Sequence, residues 1–353
     1  MSKRRTHYLA GGVAALVASL GAVPPAHAAT SLHTVYPGQS IQAAVDAAAP
    51  GDTVQLMAGT YHESVLINRS DLTLRGVGDS TVLVPDPAQT GNACATAGHG
   101  ICVAGTDEQK VNNVRLNSLT VSGFPKNGID ASNTDHLRIV NVGAHHNGNQ
   151  GISQEKSVRA TLTGNEATDN VQAGIFLANS VAHEGGAIDT QGTLIRGNRL
   201  EGNRIGVVVR RARALTVDAN DISGNCGGVF VVGDEGVPKA GALTVRRNYI
   251  HENNKYCPPN PRLAFIQGTG ILFTGAEDSL VTENQIEGNH GDSPMSGGIV
   301  LFASVVGTPN NRITVTRNVL SDNGPADLAD RDTGADNTWS RNTCRVSEPA
   351  GHC

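Results

Sequence analysis

Short runs of alternating apolar and polar residues recur along most of this chain, and runs such as LTVDA (215–219) and ITVTR (313–317) each lead into an asparagine. A second asparagine follows five residues later. The unit N-x-h-x-x-N, with h mostly aliphatic, starts at Asn198, Asn220, Asn248, Asn284 and Asn318, with a weaker copy, NEATDN, at Asn165. Two-residue alternation is the signature of a strand with one buried face. Repeated at intervals of a few tens of residues, it predicts a solenoid whose coils bury their apolar faces by stacking. Gly-aliphatic pairs measure the period. They fall at Gly128/Ile129, Gly151/Ile152, Gly174/Ile175, Gly206/Val207, Gly228/Val229, Gly270/Ile271 and Gly298/Ile299, in steps of 23, 23, 32, 22, 42 and 28. A basal coil of about 22 residues, holding three short strands and three turns, fits the short steps. The excess lies in insertions.

The alternation also sets the phase: Val207 and Val209 point in, Val208 and Arg210 point out. Stacked coils pair each strand with its copies above and below, so the sheets are parallel and only the terminal coils have free edges. Asn tolerates left-handed backbone angles. The first asparagines, Asn198, Asn220, Asn248, Asn284 and Asn318, are therefore expected at left-handed turns, forming a buried structural ladder. Upstream, Ser40 caps a short helix whose apolar face is Ile41, Ala44, Val45 and Ala48, and strand-like runs follow over 53–57, 61–67, 72–75 and 81–84. That helix would cover the open end of the first coil. The fold class is all-β: a parallel solenoid with a short N-terminal capping helix.

The first residues carry Lys3, Arg4 and Arg5, an apolar stretch from Leu9 to Val23, and Ala26-His27-Ala28, the pattern of a cleaved export signal. Residues 1–28 are read as that signal and 29–353 as one solenoid domain. Arg4-Arg5-Thr6-His7-Tyr8-Leu9 also resembles a twin-arginine signal, which directs export of a folded protein. The formal charge of -5 becomes -8 once the three basic residues of the signal are removed. A general nucleic-acid binder needs a basic footprint, so that class is excluded. The expected protein is secreted, monomeric and without a membrane span. Six cysteines in an exported chain imply disulfides. Spacing favours the local pairs Cys94 with Cys102, Cys226 with Cys257 and Cys344 with Cys353.

GQSIQAAVDAAAPGDTVQLMAGTYHESV near the start, the repeated Gly-Ile and N-x-h-x-x-N units, and NTWSRNTCRVSEPAGHC at the end together resemble the right-handed parallel β-helix proteins of the pectin-lyase-like superfamily. The two terminal segments are similar to those of secreted actinobacterial members. The resemblance implies the fold and an extracellular polysaccharide as partner, but the fold hosts lyases, hydrolases, epimerases and binding proteins. No enzyme family's motif set is complete. Gly98-His99-Gly100 precedes Asn133-Thr134-Asp135, the reverse of polygalacturonase order. Trp339 stands alone without the pectate-lyase patterns. Asp130-Ala131-Ser132-Asn133 keeps only the first residue of the epimerase D-P-H-D.

The resemblance places substrate on the face of the Gly-Ile strands. The outward residues there are Asp130, Ser153, Phe176, Val208, Phe230, Leu272 and Val300, then Ser132, Glu155, Ala178, Arg210, Val232, Thr274 and Phe302. The face is polar in early coils and apolar in late ones, so the insertions are expected to cover its late part. Insertions over 179–192 (with His183), 233–241 and 254–268, together with His145 and His146, would wall a groove over Asp130, Glu155, Lys156, Arg210 and Arg211. Eliminating or epimerising a uronate needs a cation against the carboxylate, a base and a proton donor. Arg210 or Arg211 would neutralise, Lys156 or His146 would be the base, His145 and His183 would contact substrate, and Asp130 with Glu155 would hold Ca²⁺. Paired as acid and base, those two carboxylates would instead hydrolyse a glycoside. A non-catalytic glycan- or surface-binding β-helix is the other reading. The acidic run Asp327, Asp330, Asp332 and Asp336 is expected to be a polar terminal cap.

Overall fold

A computed structural model describes residues 30–88, 91–180, 185–260 and 263–353, with Lys3, Thr6 and His7 besides. The rest of the expected signal and His183 lie outside the described residues. A single coil shows the construction: Ile152–Glu155, Thr161–Thr163 and Glu166–Thr168 follow one another, and the chain then enters Ala173–Ala178 directly beside the first of them. Three long parallel sheets result among the described residues, numbered 1, 2 and 3 in the order that coil visits them, with a two-stranded sheet of Val111–Asn112 and Thr134–Asp135 at the turn between sheets 1 and 2. Among the described residues sheet 1 runs from Val65–Ile67 to Ser347–Glu348, sheet 2 from Leu32–Val35 to Thr338–Ser340, and sheet 3 from Gly59–His62 to Val319–Ser321. The Gly-aliphatic pairs are in register from Ile129 through Ile152, Ile175, Val207, Val229 and Ile271 to Ile299.

The phase agrees with the alternation. Val207 and Val209 belong to the continuous core that extends from Val35 to Leu328 inside the three sheets. Val208 lies outside, in a second apolar cluster, and Arg210 is half-buried. The glycine of each Gly-Ile pair is explained by close approach: a Cβ on Gly270 would stand 2.3 Å from the Gly298 carbonyl oxygen of the next coil.

The asparagines form two buried ladders rather than one. The first asparagine of each unit builds the run from Asn165 to Asn342, and the second builds a run from Asn147 through Asn170, Asn203, Asn225, Asn253 and Asn289 to Asn323. Each interior amide is saturated. Asn198 Nδ2 donates back to the Leu162 carbonyl at 3.0 Å and forward to Asn220 Oδ1 at 2.9 Å, and Asn220 Oδ1 also accepts the Asn198 backbone N–H at 3.0 Å. The left-handed residue is not the asparagine, as expected from Asn turn chemistry, but its predecessor: Gly197, Ala219, Arg247, Glu283 and Arg317 all have φ between 53° and 60°. The turn needs only a left-handed residue, whereas the ladder needs the asparagine amide turned inward in the position after it.

Ser40 caps the helix Ile41–Ala47, whose Ile41 and Val45 enter the core. The Glu63 carboxylate strengthens the cap by accepting from the backbone N–H groups of Ile41 and Gln42. All three expected disulfides form. At the far end Trp339 packs on the core and stacks on His352 at 4.8 Å. Asp327 departs from the expected polar cap. It is buried, and its Oδ1 accepts the Asn323 amide at 2.9 Å while Oδ2 takes the Arg345 N–H at 2.9 Å. A carboxylate suits this position because the last rung needs acceptors only. No described helix is long and apolar enough to cross a membrane.

Candidate functional site

The outer face of sheet 1 changes character along the axis, as the sequence predicts. From Phe176 onward the outward row reads Phe176, Val208, Phe230, Leu272, Val300 and Ala329, all buried in the second apolar cluster. Its cover includes the described residues of the 254–268 insertion, with Met295. Cys257 and Ile266 pair as an antiparallel bridge, both side chains join the cluster, and the disulfide to Cys226 fastens them down. Arg204 holds the cover from below through its Nη2 bond to the Pro258 carbonyl at 3.1 Å. The outward side chains of this half of the face are thereby buried.

The two coils before it are polar, although Ser153 of the same outward row is buried and, one coil earlier still, the row holds Cys102, buried in its disulfide. Asp130 and Ser132 project from Ile129–Ser132, and Glu155 from Ile152–Glu155, all half-buried. Asp130 is positioned through a short amide relay: Asn127 Nδ2 donates to Asp130 Oδ1 at 2.7 Å, and Asn127 Oδ1 accepts from Asn149 Nδ2 at 2.9 Å and the Gln150 N–H at 3.0 Å. His99 sits beside Asp130. Its Nδ1 accepts the Asn127 backbone N–H at 3.1 Å, so the neutral ring carries its proton on Nε2 and can donate there. Burial pushes the His99 pKa below its ordinary value, the Asp130 charge pulls it back up, and Lys126 lowers it further. Asp130 and His99 thus meet through Asn127, and the exposed Lys126 immediately precedes Asn127 in the chain.

The other sequence-derived candidates separate. Glu155 is one coil and two residues from Asp130, which puts the two Cα atoms about 8 Å apart at ordinary strand and coil spacings. Arg210 lies three coils beyond Asp130, about 14 Å along the axis. Lys156 is held by Asp107 at 2.8 Å, and Arg211 is buried in an ion pair with Asp234, so both are committed to fixing turns. His145 and His146 do not wall this face. His145 ends a strand of sheet 3 with Nδ1 2.8 Å from Thr168 Oγ1, and His146 occupies the following left-handed position near Asp169. Burial lowers the His145 pKa. For Ca²⁺, no group of three or more His, Cys, Asp or Glu side chains converges among the described residues, and Asp130 already spends one oxygen on Asn127. Two carboxylates alone are fewer oxygen ligands than the six to eight that Ca²⁺ takes.

His99, Lys126 and Asn127 are absent from the sequence-derived set, although a signal existed. Gly100-Ile101 is a further Gly-Ile pair, 28 residues before Gly128-Ile129 and in register with it. It sets His99 beside Asn127.

A three-sided stack of parallel strands with Asn ladders at two corners defines a parallel β-helix. The chain belongs to the family described as the right handed beta helix region, which matches residues 89–238 and 187–348. Among solved structures, the chain is similar to the mannuronan C-5 epimerase AlgE4 A-module of Azotobacter vinelandii, at 18% identity and a TM-score of 0.58, over 87% of this chain and 92% of that one. The DFA-IIIase of Arthrobacter chlorophenolicus A6 in complex with GF2 aligns at 15% identity and 0.60, over 84% and 78%. The periplasmic alginate epimerase AlgG aligns at 13% identity and 0.59, over 83% and 68%. At these identities the likeness shows the parallel β-helix fold alone. Comparison with curated proteins finds no match.

Proposed function

We propose that this chain is an exported enzyme of extracellular polysaccharide, a lyase or C5-epimerase of a uronic-acid polymer, acting on the open early-coil face of sheet 1. The observation that carries the reading is the corner formed by Asp130, His99 and Lys126 at the edge of the uncovered half of the face. The fold neighbours include an alginate epimerase and a mannuronan epimerase, which supports the substrate class. The likeness of the N-terminus to an export signal supports secretion, as do three disulfides.

In this reading Lys126 neutralises the uronate carboxylate, which acidifies the C5 proton, and Asp130 takes that proton, its orientation fixed by Asn127. For elimination the electron pair forms the C4–C5 double bond, the glycosidic oxygen leaves, and His99 Nε2–H donates to it. For epimerisation His99 Nε2–H gives its proton to the opposite face of C5 instead. A second reading is favoured by the separation of Asp130 and Glu155. The two side chains leave the same face of neighbouring strands with their Cα atoms about 8 Å apart, and inverting glycosidases need about 6.5–9.5 Å between the carboxyl groups themselves to seat a water.

The test is a panel of pectate, alginate and neutral glycans incubated with folded protein and with Asp130→Asn and His99→Ala. Ultraviolet absorbance of an unsaturated product reports elimination, changed uronate stereochemistry by NMR reports epimerisation, and reducing ends without absorbance report hydrolysis. Each outcome must be lost in Asp130→Asn. Binding without any of the three products would establish a non-catalytic glycan binder and overturn the enzyme reading.

A further inference from the structure

Sheet 2 faces away from the site just described, and its outer surface has the opposite sign to the chain. In the three-residue stretch common to its strands, the outward positions hold Arg75, Arg115, Arg138, Arg196 and Arg246, against a single carboxylate, Asp218. Arg247 joins them at the adjoining turn. The whole sequence carries a formal charge of -5, so the concentration of guanidinium groups here is local.

Two details of the surface argue against incidental placement. Arg115 and Arg138 stand directly opposite each other in adjacent coils, both exposed, and no described carboxylate pairs with either. Like charges facing across a sheet destabilise it. Further along, Asp218 is buried beneath three arginines: Arg247 engages it twice, at 2.9 and 2.8 Å, and Arg246 and Arg196 approach at 3.4 and 3.7 Å. One carboxylate cannot neutralise three guanidiniums. Their side chains remain 42–55% exposed, and Asp218 holds them in a fixed array.

We propose that this face, from Arg75 to Arg247, is a docking surface for a carboxylated polysaccharide lying along the solenoid axis. From Arg75 to Arg246 the surface spans six coil steps, about 29 Å, with a cation in five of the seven coils. A polymer with a carboxylate on each sugar engages several of these at once, so weak contacts sum. Arginine's planar fork matches a carboxylate. No aromatic side chain projects from this face to stack nucleobases, and no apolar ridge projects to enter a membrane. The choice of a uronate polymer rests on the reading of sheet 1, whereas the sign of the surface does not. Such a surface would keep the enzyme on its polymer while sheet 1 acts.

The experiment measures the affinity of the full mature chain for polygalacturonate, and for neutral dextran, against salt concentration. Arg115→Gln/Arg138→Gln should raise Kd for polygalacturonate at least tenfold and reduce the salt slope by about two. It should leave turnover of short oligomers unchanged. Thermal stability should hold or rise, since a like-charge pair is removed, which separates lost binding from unfolding. Asp130→Asn should retain the affinity, so failure of the sheet 1 reading leaves this result standing. An unchanged Kd in the double variant overturns the proposal, as does equal binding to dextran. Preferential binding of duplex DNA or phosphatidylserine vesicles overturns the choice of polysaccharide.

Discussion

Asn225→Ala tests the ladder at one rung. In the folded chain Asn225 Oδ1 accepts the Asn203 N–H at 2.8 Å and Asn203 Nδ2 at 3.2 Å, and its Nδ2 donates to the Leu200 carbonyl at 3.0 Å and to Asn253 Oδ1 at 2.8 Å. Alanine removes all four bonds. Asn203 Nδ2 keeps the Ala167 carbonyl, and Asn253 Oδ1 keeps the Asn225 backbone N–H, so those two groups stay satisfied. The Asn203 N–H is left buried without an acceptor, which costs up to about 3 kcal/mol, and losing the bond to Leu200 adds about 1 kcal/mol. Urea unfolding followed by circular dichroism should therefore show a loss of about 2–4 kcal/mol with the m-value unchanged. A loss below about 1 kcal/mol would refute the claim that the ladder amides are structurally obligatory. Asn225→Asp sharpens the test. A carboxylate still accepts from Asn203 but turns oxygen toward the Leu200 and Asn253 oxygens, so at neutral pH it should be worse than alanine. Burial raises the pKa of such a carboxyl. Its penalty should be absent in acid, below about 4, and should grow as pH rises from there toward the folded-state value.

Gly270→Ala places a methyl 2.3 Å from the Gly298 carbonyl oxygen. It should cost at least about 2 kcal/mol in the same urea assay, because backbone of the next coil has to move. The Asp52 carboxyl is held at about 2 by its bond to His33 and by the Ser31 and Ala49 N–H groups. A depressed carboxyl stabilises above its ordinary value and loses that contribution as pH falls, so Asp52→Asn should lower Tm near neutrality. The gap to the parent should close between pH 3.8 and about 2. Removing both partners in Cys226→Ala/Cys257→Ala opens a 31-residue loop, for which about 2–4 kcal/mol of stability should be lost. It should also expose Phe230 and Leu272 to a hydrophobic dye, and an unchanged dye signal would mean that the insertion stays seated without its disulfide.

The parts of this molecule legible in the sequence are those that repeat. Gly-Ile pairs and alternating valines fix phase because a one-residue slip would turn Val207 and Val209 outward, and that phase correctly separates Asp130 and Glu155 from the core. What was not legible depends on insertions or on very short strands. The strand Gly143–His145 is too short to show alternation, so His145 reads as a turn and not as an outward residue of sheet 3. Asp107 and Asp234, the partners of Lys156 and Arg211, come from loops whose course no periodicity specifies. The same limit hid His99: the 28-residue step from Gly100 to Gly128 obscures a register that the backbone keeps.

The covered and open halves of sheet 1 constrain each other. An outward row of Phe176, Val208, Phe230, Leu272 and Val300 left bare would be a contiguous apolar strip, and strips of this kind on a parallel stack invite association. Covering it with the 254–268 insertion stabilises the late coils but forbids a ligand there. Only coils whose outward residues are polar can remain uncovered, and only they can meet a hydrated polymer. The cover reaches back to Arg204, which bonds the Pro258 carbonyl, and the apolar cluster it shares continues to Ala173 and Phe176, in the coil immediately after Glu155. The length of the open face is thus set by how far one insertion lies back along the stack. On this argument a change in substrate length would arise by altering residues 254–268, with Asp130 and His99 left untouched.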